Sequence, residues 1–249
     1  MRHTTLAALC LTTATATAVL TGCGTLTKPA DGKPKGPFAD LSGQEIVDKA
    51  VKATTGATSL TVKGDVPDGK DTIKLDMALD RRGECAGSMS MNGQGTVDLV
   101  KTGRTVYMKY DEAFLRAQGK GEPASETDAV VEMLADRWAK TSATSSDAKD
   151  LASFCDLDSL LADFKDVHSA ARKGAETTVD GVPAFTLTEN DGKDRYTIYV
   201  ATQGKPYLLK IENTSAKTPE VIAFSDYDQP VPAQAPKDKD IVDLDKLGS

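Results

Sequence analysis

The side chains with the widest chemical reach in this 249-residue chain are four cysteines, Cys10, Cys23, Cys85 and Cys155, and two histidines, His3 and His168. Histidine suits proton transfer or metal ligation near neutral pH. His168, however, has no cysteine or second histidine at ligand spacing, and no Gly-x-Ser-x-Gly, His-Glu-x-x-His or phosphate-cradling glycine loop accompanies it. At the end of an acidic helical stretch it reads as a surface residue rather than a catalytic base. Asp240, Asp243 and Asp245 offer the oxygen donors calcium prefers, but their spacing matches no EF-hand loop, so they read as a solvated tail. The chain is expected to be no enzyme and to carry no metal and no cofactor.

The sulfur atoms say more. Leu20-Thr21-Gly22-Cys23 follows a short positive start (Met1, Arg2) and an apolar run from Leu6 to Leu20 that threonines interrupt. That run is too short and too polar to span a bilayer. The tetrad resembles a bacterial lipobox. The resemblance implies a signal peptide over residues 1–22, cleavage between Gly22 and Cys23, and a diacylglyceryl group on the Cys23 sulfur, with a third, palmitate-like chain on the new amino end left open. The alternative is an ordinary secretory signal with an incidental cysteine. Two or more acyl chains anchor stably where one is marginal, at about 0.8 kcal/mol per buried methylene. The expected location is the extracytoplasmic face of the cell membrane. With Cys10 lost and Cys23 lipidated, Cys85 and Cys155 remain, and two cysteines outside the cytosol pair readily. In the chain-entropy model a bridge closing a loop of about 70 residues contributes roughly 4 kcal/mol. Two buried free thiols, or half of a metal site, are the alternatives.

Loss of residues 1–22 removes only Arg2 from the charge count, leaving the chain slightly more acidic than its formal −7. Nucleic acid and a polybasic grip on anionic headgroups both need clustered Lys and Arg, so no nucleic acid is expected and the membrane contact is the lipid. Aromatic residues make up only 5% of the chain, and the core must be mainly aliphatic and methionine. Residues 23–40, rich in Thr, Lys, Pro and Gly, have little to bury and read as a flexible tether. Residues 41–229 read as one domain, and residues 230–249 as an extended tail whose Ile241, Val242 and Leu244 can dock at its end.

A helix is predicted from Ser42, with Glu45 three residues on as in a capping box and an apolar stripe of Ile46, Val47, Ala50 and Val51 ending near residues 54–56. Alternation follows. From Thr72 to Asp80 every odd position is apolar, the mark of a strand with one wet face, and residues 59–66, 84–91, 95–100 and 104–110 complete an antiparallel meander. Residues 112–117, 127–136, 146–154 and 157–166 read as amphipathic helices, with Ser125 and Asp128 as a capping box, Asp156 as a cap and Trp138 as a packing anchor between them. A second meander runs through 175–179, 184–188, 195–201, 207–212 and 221–227, with Tyr207, Leu209 and Ile211 on one face. About ten strands with one apolar face need a cover, and the helices are the available cover. The expected fold is α+β, a large curved antiparallel sheet with amphipathic helices on its concave face.

Lipobox, Pro/Gly tether, capped helix, meander, helical insert, second meander and an ending of Phe224-Ser225-Asp226-Tyr227 before Pro230 together resemble the LppX/LprAFG lipoproteins of actinobacteria, cousins of the LolA and LolB carriers. The Cys85–Cys155 pair does not map onto that family's general pattern. The resemblance implies a half-barrel with an apolar cavity between sheet and helices, and binding or transport of acylated lipids or glycolipids. The residues expected to line the cavity are Leu75, Met77, Met89, Met91, Met108, Val130, Met133, Leu134, Leu160, Leu161, Phe164, Phe185, Ile198 and Leu209. Flexible thioethers suit chains of variable length, although methionine on an alternating strand is equally an ordinary core filler. A monomer is expected, with an envelope transporter or other protein as a candidate partner. The alternative function is a non-catalytic envelope interaction or sensor module with a solidly packed core.

Overall fold

The computed structural model describes residues 36–68, 71–91, 94–146, 148–162, 170–215, 220–237, 239 and 241–247, with the side chains of 66–68, 71 and 91 outside that description. Helix α1 spans Gly43–Thr55. Its start is the capping box read from the sequence: Ser42 Oγ accepts from the Glu45 amide at 3.2 Å and the Glu45 carboxylate accepts from the Ser42 amide at 2.7 Å. The Ser42 amide and the Ser42 hydroxyl, which donates to the same carboxylate at 2.8 Å, hold the exposed Glu45 carboxyl below its usual range.

The first meander consists of β1 (Ser59–Asp68), β2 (Asp71–Asp80), β3 (Cys85–Met91), β4 (Thr96–Thr102) and β5 (Thr105–Tyr110). The second consists of β7 (Arg172–Val179), β8 (Val182–Asp191), β9 (Asp194–Ala201), β10 (Leu208–Asn213) and β11 (Glu220–Ser225). Between them lie α2 (Glu112–Gln118), α3 (Ala124–Leu134), β6 (Trp138–Ser142), α4 (Lys149–Ser153) and α5 (Leu157–Leu160), and the chain closes with β12 (Ile241–Asp243). All twelve strands form one open sheet in the order β12-β6-β5-β4-β3-β2-β1-β11-β10-β9-β8-β7. The meanders join where β1 pairs antiparallel with β11, through Thr61↔Ser225 and Val62↔Phe224. The fold is the α+β half-barrel the sequence predicts. Curvature is assisted by two glycines at positive φ, Gly64 (153°) and Gly87 (159°), where a Cβ would lie 1.9 Å from Val221 O and 2.0 Å from Asp76 O.

Several local expectations are corrected. Trp138 is no interhelical anchor: it opens β6, an alternating Trp-Ala-Lys-Thr-Ser strand paired with β5, and sits 5.4 Å from the Lys109 ammonium. Five residues beside a helical run carry too little period to register as a strand. Helix α3 starts earlier than expected and is preceded by Pro123 without a side-chain cap, so Ser125 and Asp128 form no capping box. Helices α4 and α5 are only five and four residues long, the second capped by Asp156 as predicted. The end of the tail docks: β12 pairs parallel with β6, Asp243 binds Lys140 at 3.2 Å and Lys246 at 3.5 Å, and Asp245 accepts from Thr141 at 2.7 Å. Asp243 and Asp245 are therefore structural acids rather than a solvated tail, while Asp240 and His168 lie outside the described residues.

The concave side carries one large cluster, in which Ile46 and Val47 of α1 and Leu157 and Leu161 meet Leu60, Met77, Leu79, Val97, Leu99, Met108 and Leu187 of the strands. The Cys85–Cys155 disulfide, with Cα atoms 5.3 Å apart, ties the segment between α4 and α5 to β3. Arg81 adds to the tie, donating to Ala57 O at 2.7 Å, to Thr55 O and to Asp158 of α5.

Candidate functional site

The concave face is closed unevenly. Over the first meander the disulfide and Arg81 hold α4 and α5 down, and Leu151, Phe154 and Leu160 pack half-buried against the core. Over the second meander the cover is α1, and beneath it an apolar cleft of about 220 Å³ remains. Val47 and Val51 of α1 form its roof, Ile198, Leu208 and Ile211 its floor, and Glu189, Asp191 and Tyr196 its rim. Larger hollows of about 510 and 520 Å³ lie elsewhere, but they are open and edged by charged side chains such as Asp80, Arg82 and Lys149, or Lys63, Asp65 and Lys210. Charged walls cannot desolvate an acyl chain favourably, so the smaller apolar cleft is the candidate.

Both ends of α1 are fixed. At its start Gly43 packs directly on the backbone of Ala171, where an added Cβ would lie 1.9 Å from the carbonyl oxygen. Lys173 Nζ holds the segment before the helix by donating to the carbonyls of Phe38 (2.6 Å), Ala39 (3.1 Å) and Leu41 (2.9 Å). At the far end the buried Thr54 Oγ1 accepts from the Leu208 amide at 3.0 Å, and the Tyr227 hydroxyl donates to Leu208 O. Tyr227 stacks on Tyr207 at 3.9 Å between centroids, and burial drives its phenol pKa well above the ordinary value. Asp228 completes the corner, accepting from Thr58 N (2.8 Å), Lys205 (2.9 Å) and Tyr207 (2.6 Å).

The residues expected to line a cavity separate into groups. Leu75, Met77, Met89, Met108, Leu161 and Ile198 are buried in the large concave cluster, with Leu160 and Phe185 half-buried against it. Of these, only Ile198 borders the cleft. Leu134 belongs to a separate cluster with Leu115 and Ala139 at the β6 end, while Val130 and Met133 are 40% and 36% exposed on α3. The α2–α3 hairpin packs beyond the sheet's centre and turns its valine–methionine stripe outward. Leu209 faces the opposite side with Val179, Ala184 and Ala201. A register shift between Leu208 and Lys210 reverses the alternation there, so Leu208 points inward beside Ile211 and the expected Tyr207–Leu209–Ile211 face does not exist. The Met91 side chain, Phe164 and Cys23 lie outside the described residues. Sequence reasoning missed Val47, Val51, Leu208 and Ile211 as cleft residues, although the apolar stripe of α1 already contained the first two.

Among the described residues no group of three or more His, Cys, Asp or Glu side chains is placed to hold a metal ion, and no helix is long and apolar enough to cross a membrane. Sheet order and helical cover together define the class: an open α+β half-barrel with helices on its concave face, a fold the chain shares with LprF. The solved structures to which the chain is similar include LprF from Mycobacterium bovis, at 14% identity and a TM-score of 0.51 over 78% of this chain and 96% of that one. They also include the lipoprotein LppX from Mycobacterium tuberculosis, at 14% identity and a TM-score of 0.47 over 77% of this chain and 97% of that one. No protein-family model matches the sequence, and no curated protein is significantly similar to it. At such identity the likeness to LprF establishes a common fold and says nothing of a ligand.

Proposed function

We propose that this chain is a non-catalytic lipoprotein of the cell envelope, anchored through Cys23 at the extracytoplasmic face, that binds the acyl chain of a lipid or glycolipid and passes it on. The observation that carries the reading is the apolar cleft of about 220 Å³ between α1 and β9–β10. Its volume is below the ~300–1,000 Å³ of pockets that enclose a whole small ligand, so it suits one segment of an acyl chain, with the rest of the molecule outside. The LprF-like fold supports the reading, because it sets an apolar sheet face against the apolar stripe of α1.

A second reading draws on the packing under α4 and α5, where Leu157 and Leu161 are buried in the core and the hollow beside them is edged by charged side chains. In it the domain is an interaction or sensor module with a solid core. Native mass spectrometry of the protein purified from its own host, followed by organic extraction, separates the two. Co-purifying acylated lipid, lost when Val51→Trp fills the cleft, is the expected result. Repeated absence of lipid, with one dominant protein neighbour on cross-linking in cells, would establish the second reading instead.

A further inference from the structure

Helix α3 buries only one of its faces. Leu134 is buried with Leu115 and Ala139, Val131 packs against that cluster, and Thr127 Oγ1 donates to Gly119 O at 3.4 Å. Glu126, Ala129, Val130 and Met133 form a second line along the helix, with the i, i+3, i+4, i+7 spacing of one continuous stripe, and all four are exposed. Scattered single apolar side chains are ordinary on a surface, but Val130 and Met133 are neighbours on one helix face. The charge around them has one sign. Helix α3 holds Glu126, Asp128 and Glu132 and no Lys or Arg, and Asp136 follows its end. Arg116 of α2 pairs with Asp128 at 2.8 Å and with Glu112 at 2.6 Å, and Arg137 donates to Met133 O at 3.1 Å. Glu126, Glu132 and Asp136 form no ion pair among the described residues. The hairpin that carries the stripe is fixed in place. Asp111 caps α2 by accepting from Phe114 N at 2.7 Å and also accepts from the Thr96 amide of β4 at 2.8 Å, while the Asp136 amide donates to Tyr110 O at 2.9 Å. A helix held this way loses little freedom on docking.

Independently of what the α1 cleft holds, we infer that α3 is the docking helix of a protein–protein contact. It lays Val130 and Met133 into an apolar groove of a partner protein whose rim carries Lys or Arg opposite Glu126 and Glu132. Helix-in-groove recognition reads this spacing of anchors, and opposite charges around the groove set register and speed encounter. A bilayer is the wrong occupant: helices that lie in an anionic interface carry Lys and Arg on their polar face, and α3 has neither. A second copy is equally unsuited, because α3 against α3 would set acid against acid.

The test replaces Val130, Met133 or, as a control elsewhere on the surface, the similarly exposed Val182 by the photo-reactive residue benzoylphenylalanine in the full chain in its own host. Each adduct is mapped by peptide mass spectrometry. Positions 130 and 133 should join one and the same protein, at apolar residues flanked by Lys or Arg, and position 182 should not. That protein is then purified and titrated by calorimetry with the full chain carrying Cys23→Ser. Val130→Gln with Met133→Gln should weaken binding about tenfold or more, whereas Val182→Gln leaves it unchanged. Glu126→Gln with Glu132→Gln should weaken it about fivefold at about 0.05 M salt and less than about twofold at about 0.5 M. Glutamine is a good helix former and all four positions are exposed, so the urea midpoint should stay that of the parent. Adducts from 130 and 133 only to lipid, only to a second copy of this chain, or no more abundant than from 182 overturn the inference. An affinity indifferent to the Val130 and Met133 substitutions overturns it as well, as does an effect of the two glutamates that salt does not reduce.

Discussion

Asp228 is held at φ 59°, a left-handed conformation that Asp and Asn tolerate better than most residues. Its carboxylate gathers the Tyr207 hydroxyl, the Lys205 ammonium and both the amide and hydroxyl of Thr58, so its pKa lies far below the usual carboxylate range, Tyr207 being the largest cause. The folded state therefore binds this proton less readily than the unfolded chain. The resulting stability is present in full above the ordinary Asp pKa of about 4 and is lost as pH falls from there towards the folded value. Asp228→Asn keeps the shape and the backbone tolerance while removing the charge. Allowing for partial solvent exposure, it should cost about 1–2 kcal/mol at pH 7. Urea unfolding of parent and variant across pH 2–7 checks this: the gap should be constant above about pH 5 and narrow progressively as pH falls below about 4, and a gap independent of pH would show that the charge is not the cause. Gly87 allows a second residue-scale expectation. With its Cβ position 2.0 Å from Asp76 O and φ at 159°, Gly87→Ala should force β2 and β3 apart and lower stability by about 1–3 kcal/mol, read as a lower denaturant midpoint.

At the scale of elements, the cover is divided between a covalently fixed part and a part held only by hydrogen bonds and packing. Cys85 and Cys155 are buried, and their bridge closes a loop of 70 residues that contains α2, α3, β6 and α4. Replacing both by alanine should lower stability by about 3–4 kcal/mol in the chain-entropy model. Hydrogen exchange should accelerate first in α4 and α5, whose few turns cannot persist unpinned; unchanged exchange there would mean that packing alone holds them. This division also explains what the sequence disclosed. The ten longer strands and α1 with its capping box were legible because each repeats one period over several residues, or pairs a cap with a carboxylate at the right spacing. β6 was too short, and the β10 shift that exchanges Leu209 for Leu208 leaves no trace in Tyr-Leu-Leu-Lys-Ile, where either leucine fits an alternating strand. The cleft was half legible: Val47 and Val51 were visible as one helical face, but which strands that face would cover depends on β1 pairing with β11, a contact between distant parts of the chain. Val130 and Met133 misled because an apolar stripe on a helix announces burial, whereas α3 leaves that stripe at the surface.

At the scale of the whole molecule, the proposed function turns on how the domain would meet a lipid. The described fold begins at Gly36, where an added Cβ would lie 2.9 Å from the Glu176 carboxylate of β7, in the same half of the sheet as the cleft. If Cys23 is the first mature residue, about a dozen residues lie between it and Gly36, a length of chain that can span at most about 45 Å. On this proposal the tether leaves from the half that opens, while the disulfide-fixed half lies across the sheet, so the cleft can approach a bilayer surface without the domain detaching. A multiply acylated Cys23 is held by the burial of two or more chains, an affinity that one substitution abolishes entirely. Cys23→Ser should therefore move the protein from the membrane fraction to the soluble fraction of its own host, with unchanged unfolding behaviour of the fold that begins at Gly36. Intact-mass measurement of the parent protein should show the added acyl mass on a chain beginning at residue 23. Retention of the Cys23→Ser protein in the membrane fraction after a high-salt wash would place its membrane contact in the folded domain, and the cleft would then have to reach lipid without the tether.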